Sequence, residues 1–232
     1  MAVAFDAAGG TTSLLQPASI TWAHTVTGAS TYLVVCVGLT AGVIGDVTGV
    51  TYNGVAMSNL WNRQPVGFGI RGTGWGLKNP SVGTNNVVAS ISGANDGITG
   101  TSASYTGVDQ TTPTGTAASA ENASTGTTAT VDVTSASGEL VVGGVVIGNV
   151  ATAITIGAGQ TQRASQDLIP NGEHRNIISD EAGAASVTHS WTWTGATDWT
   201  IGAVSLKPSG LIVPDYVLRG LALKRGLFTR RA

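Results

Sequence analysis

Three histidines, one acidic doublet, a glycine-rich run and six tryptophans are the residues of this chain whose types and spacing could do chemistry. A hydrolytic or metal site needs several such groups converging, with a nucleophile, base or ligand set at a recognisable spacing. His24, His174 and His189 fit no metal-ligand motif such as His-Xaa-Xaa-Xaa-His, and the plain expectation is strand histidines, half-buried or at the surface. Asp180-Glu181, with Asp167 and Glu173 nearby, has the residue types of a glycosidase pair or a calcium site. Adjacent strand residues point to opposite faces, so the doublet cannot converge by itself, and a solvated loop or strand end is expected. "ANDG" at 94–97 lacks the further acidic ligands of a calcium loop and reads as turn chemistry. "GFGIRGTGWG" at 67–76 could cradle phosphate only if a helix followed it. No helical pattern does, which leaves a flexible loop or a place where strands pass closely. No catalytic residue, metal or cofactor is expected.

The aromatics suggest binding. Trp61 and Trp75 flank the glycine-rich run, and as exposed rings they would stack on the apolar faces of sugars. Trp191 and Trp193, two apart in "SWTWTG", share one strand face and are expected to fill a core, with Trp199 close by.

The elements that must position these residues are strands. Runs rich in Val, Ile, Thr, Tyr and Trp recur about every ten residues between Gly, Asn, Asp, Ser and Pro clusters, the pattern of an antiparallel all-β sandwich. Strands are expected near 19–26, 31–40, 47–52, 55–58, 72–78, 86–92, 99–107, 128–134, 139–148, 153–165, 175–180, 186–194 and 199–206. "ATVDVTS" alternates for a half-covered sheet, whereas "YLVVCVGL" and "ELVVGGVVIG" are apolar on both faces and belong in central strands. Asn53-Gly54 between two β-prone triplets predicts a two-residue type I′ hairpin. Residues 109–128 hold almost no bulky apolar group and are expected to form a long surface excursion between two halves of the sandwich.

Composition narrows the classes further. At 232 residues the chain can bury a core as one sandwich domain over 1–208. Charged residues are 10% of the chain, where soluble proteins average about 25%, yet 42% hydrophobic content excludes disorder. The lone Cys36, in an apolar run, can form no internal disulfide. The N-terminal stretch lacks the pattern of a signal peptide, and no apolar run is long enough to span a bilayer. Residues 1–208 carry six basic against twelve acidic groups, which argues against wrapping nucleic acid.

The end of the chain is different. Residues 209–232 carry five basic groups against Asp215, behind a Pro208/Gly210 hinge. Tyr216, Val217, Leu218, Leu221, Leu223, Leu227 and Phe228 are interleaved with Arg219, Lys224, Arg225, Arg230 and Arg231. Too apolar to stay in water alone and too short to fold alone, this segment is expected to be a docking arm gripping an acidic protein neighbour, in preference to lipid or nucleic acid.

The series "VTYNGVAM", "WGLKNPSVGTNNVVASISG", "SYTGVDQTTPTGT", "TVDVTSASGELVVGG" and "WTWTGATDWTIGAVSLKP" resembles a group of β-sandwich proteins encoded by tailed bacteriophages and in bacterial and marine genomes. The likeness covers about residues 19–208, leaves the arm out, and rests on hairpin turns, strand ends and buried aromatics. It implies a jelly-roll-like or lectin-like sandwich on a virion surface or appendage, and it transfers no catalytic residue. The expectation is therefore a non-enzymatic virion protein, a capsid decoration or head-fibre component held through its arm to the major capsid protein or a portal or tail component. A homo-oligomer such as a trimer is the expected assembly, and the alternative is a carbohydrate-binding module of a tail fibre or adhesin.

Overall fold

The computed structural model describes residues 1–13, 17–40, 45–67, 69–93, 95–148, 153–168 and 174–210, without the side chains of 123–125. The docking-arm residues Tyr216 to Arg231 and the acidic Glu173 lie outside the described residues. Among the described residues fifteen strands run in order: β1 (Ala4–Ser13), β2 (Ser19–Val26), β3 (Tyr32–Thr40), β4 (Asp46–Tyr52), β5 (Val55–Ala56), β6 (Ser58–Arg63), β7 (Ile70–Lys78), β8 (Gly83–Ser92), β9 (Gly97–Thr106), β10 (Ala118–Thr134), β11 (Leu140–Gly148), β12 (Thr155–Ile156), β13 (Thr161–Leu168), β14 (His174–Ala182) and β15 (Ser186–Leu206). All pairings are antiparallel.

The sheets are built twice over. In the first half an inner sheet, β1-β9-β3-β7-β6, packs on an outer sheet, β2-β8-β4-β5. The path β1-β9-β3-β7 over β2-β8-β4-β5 is the strand order of an eight-stranded jelly roll. In the second half the inner order is β10-β15-β11-β14-β13, with β12 on the other part of β15. There the long β10 and β15 do double duty. Their pairing breaks register between Asn122 and Thr128, so Ala118–Asn122 pairs with Trp199–Ala203 in the inner sheet, and Thr128–Thr134 pairs with Ser186–Thr192 in an outer layer that β12 joins. The two parts of β10 stand where β1 and β2 stand in the first half, and the two parts of β15 where β8 and β9 stand. The antiparallel, jelly-roll-like all-β sandwich expected from the sequence is thus present, and its strand order runs through the jelly-roll path twice. Equivalent details recur: β7 and β14 have the same burial sequence along nine residues, and β6 and β13 each carry a bulge, at Asn59/Trp61 and Gln162/Ala164.

The halves meet through their inner sheets in a self-complementary way. β1 lies against β13 as β10 lies against β6, and β14 meets β3 and β9 as β7 meets β11 and β15. This is the arrangement of an isologous dimer interface inside one chain. Three cores result. Leu33, Val35, Val37 and Leu39 point outward toward Trp22, Val50, Tyr52 and Val87 of the first outer sheet. Val34 and Cys36 point into the seam with Val142, Ile178 and Val204. Val141, Val145 and Ile147 point toward Val131, Val187, Trp191 and Trp193. The doubly apolar sequences of β3 and β11 follow directly, since each strand is covered on both faces.

One expectation about elements is corrected and one strand is added. Residues 118–128 belong to strand β10, because small Thr, Ala and Ser side chains suffice for an edge strand half-covered by its partner. β1 escaped notice because its glycines mask a strand: a Cβ on Gly9 would crowd the Ala23 carbonyl at 3.1 Å, and one on Gly10 would crowd Gln166. Of the two readings of the glycine-rich run, close passage of strands holds: 70–76 lies in β7, within which the expected strand 72–78 falls, and a Cβ on Gly72, Gly74 or Gly76 would overlap Thr200, Trp61 or Tyr32 respectively. The Asn53-Gly54 hairpin forms as expected, with φ of 49° and 76° and Tyr52 paired to Val55.

Candidate functional site

The three histidines are all buried, contrary to expectation, and each stands at a different boundary between layers. His24 of β2 crosses from the first outer sheet to β9, where Nδ1 and Nε2 bond Ser102 Oγ (2.9 Å) and Ser104 Oγ (3.0 Å). Ser104 in turn donates to Asp6 Oδ2 at 2.8 Å. Burial holds His24 neutral, pushing its pKa down to about 4 against the opposing pull of Asp6. For Asp6, burial acts upward, and hydrogen bonds from Thr27 and Ser104 more than offset it, so its carboxyl lies below the usual range.

His174 of β14 crosses the central seam to the other half. Its Nδ1 bonds Thr40 Oγ1 of β3, and its Nε2 bonds Thr99 Oγ1 of β9 at 2.7 Å. Its neighbour along the same face, Asn176, donates to the Cys36 carbonyl at 3.1 Å, which adds a second polar tie across the seam. Burial pushes the His174 pKa down to about 3.

His189 of β15 crosses from the second outer layer to β14. Its Nε2 bonds Ser179 Oγ at 3.0 Å and its Nδ1 bonds Glu181 Oε1 at 2.8 Å. Serine on one ring nitrogen and carboxylate on the other is the connectivity of a nucleophilic triad. The surroundings differ from those of an acyl-transfer site. Ser179 and His189 expose no surface, the serine hydroxyl is also bonded by Gln160 Nε2 at 3.0 Å, and Glu181 is the most exposed of the three. Gly143 makes this packing feasible, since any Cβ there would overlap the imidazole.

The acidic doublet divides as the strand alternation requires, and both members are engaged where a solvated end was expected. Asp180, 2% exposed, takes a bidentate pair from Arg163 Nε (2.6 Å) and Nη2 (2.9 Å). The same guanidinium lies 4.2 Å over the Phe5 ring, tying β13 to β1. Asp167 pairs with Arg175 at 2.5 Å. Among the described residues no three His, Cys, Asp or Glu groups converge as a metal would require.

The two tryptophans proposed as sugar platforms are core residues. Trp61 is 6% exposed and lies in the seam between Gly74 and Gly202, where a Cβ on either would overlap its ring. Trp75 is 7% exposed and belongs to the first outer core. Neither can offer a ring face to a ligand. Trp191 and Trp193 fill the second outer core, as their spacing predicts.

The outward faces of the two outer layers carry regular cross-strand rows of short side chains. On the second outer layer the cross-strand rows are Thr128-Thr192-Thr155, Thr130-Ser190, Asp132-Thr188 and Thr134-Ser186. On the first they are Ser19-Ser90-Gly49, Thr21-Val88-Thr51, Ala23-Asn86 and Thr25-Thr84. Asp132 is the one charge in these rows, and Thr188 donates to it at 2.6 Å. The Met1 ammonium donates to the Ser209 carbonyl at 2.7 Å, so the N-terminus sits beside residues 208–210. Next to them, Ser30, Val108, Asp109, Gln110 and Thr111 line a hollow of about 380 Å³ that Gly210 also borders. The sequence signals for these features were the Thr-rich alternation and the Pro/Gly hinge. The interlayer pins had no sequence signal, because each joins residues 75 or more apart or strands that do not pair. No protein-family model matches the chain, and neither does any curated protein or solved structure.

Proposed function

We propose that this chain is a non-enzymatic structural protein of a tailed-phage particle, a capsid decoration or head-fibre component held to its neighbour by the C-terminal arm. The observation that carries the reading is where its polar chemistry lies. Every histidine and the acidic doublet are used in holding layers together, while the cross-strand rows of the two outer faces are mostly hydroxyl-bearing, with Asp132 their one charge. A rigid, charge-poor body packs closely among identical neighbours without desolvating ions. Jelly rolls serve in viral capsids, which supports the reading by analogy of fold, and the resemblance of residues 19–208 to phage-encoded sandwiches supplies the particle.

The arm supplies attachment. It begins beside Met1 at the hollow of Ser30 and Asp109, carries five basic groups against one acid, and follows a body with an excess of six acids. An acidic surface on the capsid or a portal or tail protein is its natural partner, and an arm passing between copies would give a homo-oligomer such as a trimer. Removing residues 211–232 is expected to leave a soluble folded body that no longer co-purifies with particles. Undiminished incorporation of the truncated body would overturn the reading, as would turnover of a substrate by the isolated protein.

A further inference from the structure

The three interlayer histidines are not equivalent in what surrounds them. His189 has the Glu181 carboxylate on its Nδ1, and His24 has Asp6 one hydroxyl away through Ser104. A proton arriving at either ring meets an anion. His174 has threonine hydroxyls on both nitrogens. A neutral imidazole needs one acceptor and one donor, and a hydroxyl can be either, so the neutral ring is fully satisfied. The imidazolium would also find two acceptors, but its charge would stand buried against Gly38, Thr40 and Thr99, with no anion bonded to it among the described residues.

The charged groups on the elements around His174 are used elsewhere. Asp167 of β13 is paired with Arg175, which points to the opposite face of β14 from His174. Asp198 of β15, beside Gly148, accepts from Thr197 Oγ1 at 3.0 Å. Asp96, whose amide donates to the Thr40 carbonyl, is exposed. From β3 and β9 the ring is faced by Gly38, Thr40 and Thr99, and a Cβ on Gly38 would already crowd Nε2 at 2.9 Å, so no side chain can move in there. Glu173, its chain neighbour, lies outside the described residues. The place equivalent to His174 in the first half is Ile70, the first residue of β7. The fold therefore accepts an aliphatic residue at this station.

We infer that the seam between the two jelly rolls is an acid-released joint whose trigger is His174. Closing the seam keeps the imidazole unprotonated, and opening it lets the ring take a proton from water. Since the closed ring holds out to about pH 3, each unit of pH below the ordinary histidine range raises the opening equilibrium about tenfold. The first outer layer shares this response through His24, which burial also holds neutral, so the contrast lies with the second outer layer, where the Glu181 carboxylate sits on the His189 ring. The inference concerns the body alone and holds whether or not the chain sits on a particle.

Hydrogen-exchange mass spectrometry on the full chain tests it, with protection factors compared between pH 7 and pH 4.5. In the wild type, peptides of β3 and β14 are expected to lose about a hundredfold in protection while those of the Thr128–Thr134 part of β10 keep theirs. His174→Ile, which installs the residue of the equivalent station, is expected to remove the seam's pH response, and His174→Gln serves if the isoleucine variant does not fold. Glu173→Gln separates a contribution of that neighbour. Loss of protection in the Thr128–Thr134 part of β10 first, an unchanged seam in the wild type, or an equal response in the His174 variants would each overturn the inference.

Discussion

Trp61 illustrates how the seam is filled. In the first half its indole lies over Gly74 and Gly202, and the equivalent stations on the other side of the seam hold Ala164, Ile178 and Thr101. One large and two minimal residues on one side are balanced by three of middling size on the other. Trp61→Ala is expected to cost about 3–5 kcal/mol, and Gly202→Ala about 1–3 kcal/mol, through a cavity and through overpacking respectively. Urea midpoints of the two variants check this, and the double variant is expected to differ from additivity because the residues touch. At the same scale, His24 sets a pH dependence. Its folded pKa of about 4 lies below the ordinary value near 6.5, so its contribution is complete above about pH 6.5 and is lost as pH falls toward 4. The loss is on the order of 3 kcal/mol, read from the chain's urea midpoint against pH.

At the scale of elements, the Asn53-Gly54 turn is the best local test. Both residues take positive φ, and Gly54→Ala is expected to destabilise by about 1 kcal/mol with the β4–β5 pairing weakened, as amide exchange at Tyr52 and Val55 would report. Such turns and the strands they join were legible in the chain because period-2 patterns and Gly or Asn punctuation are local. "SGANDG" and "TGATD", each with a glycine at positive φ in the connection toward the inner sheet, were also present as a repeat signal. That signal stayed hidden because the first half breaks β1 from β2 and β8 from β9, whereas the second half runs each pair through as one long strand. The pins were beyond reach for another reason. His174 and Thr99, or His24 and Ser102, meet only because sheets stack, and a one-dimensional pattern carries the face of a residue without its opposite number. The same limit misplaced Trp61 and Trp75, whose neighbouring glycines signalled a slot for a large ring as well as a flexible loop.

For the whole molecule, the expectation is a single unfolding transition. Neither half can bury Val34, Cys36, Tyr105, Val142, Ile178 and Val204 without the other, so far-UV circular dichroism and tryptophan fluorescence should give coincident urea curves at neutral pH. Residues 1–107 expressed alone are expected to aggregate or to pair with themselves through the exposed inner sheet, which analytical ultracentrifugation would detect. The covalent link between the halves, residues 109–117, is tied down by Val108 to Pro208 and Thr114 to Leu206 pairings, so it holds the partners in register as well as together. Mating of the jelly rolls is therefore a unimolecular step governed by effective concentration. Two separate chains joined by such a face would come apart on dilution by mass action, whereas this body is indifferent to its own abundance.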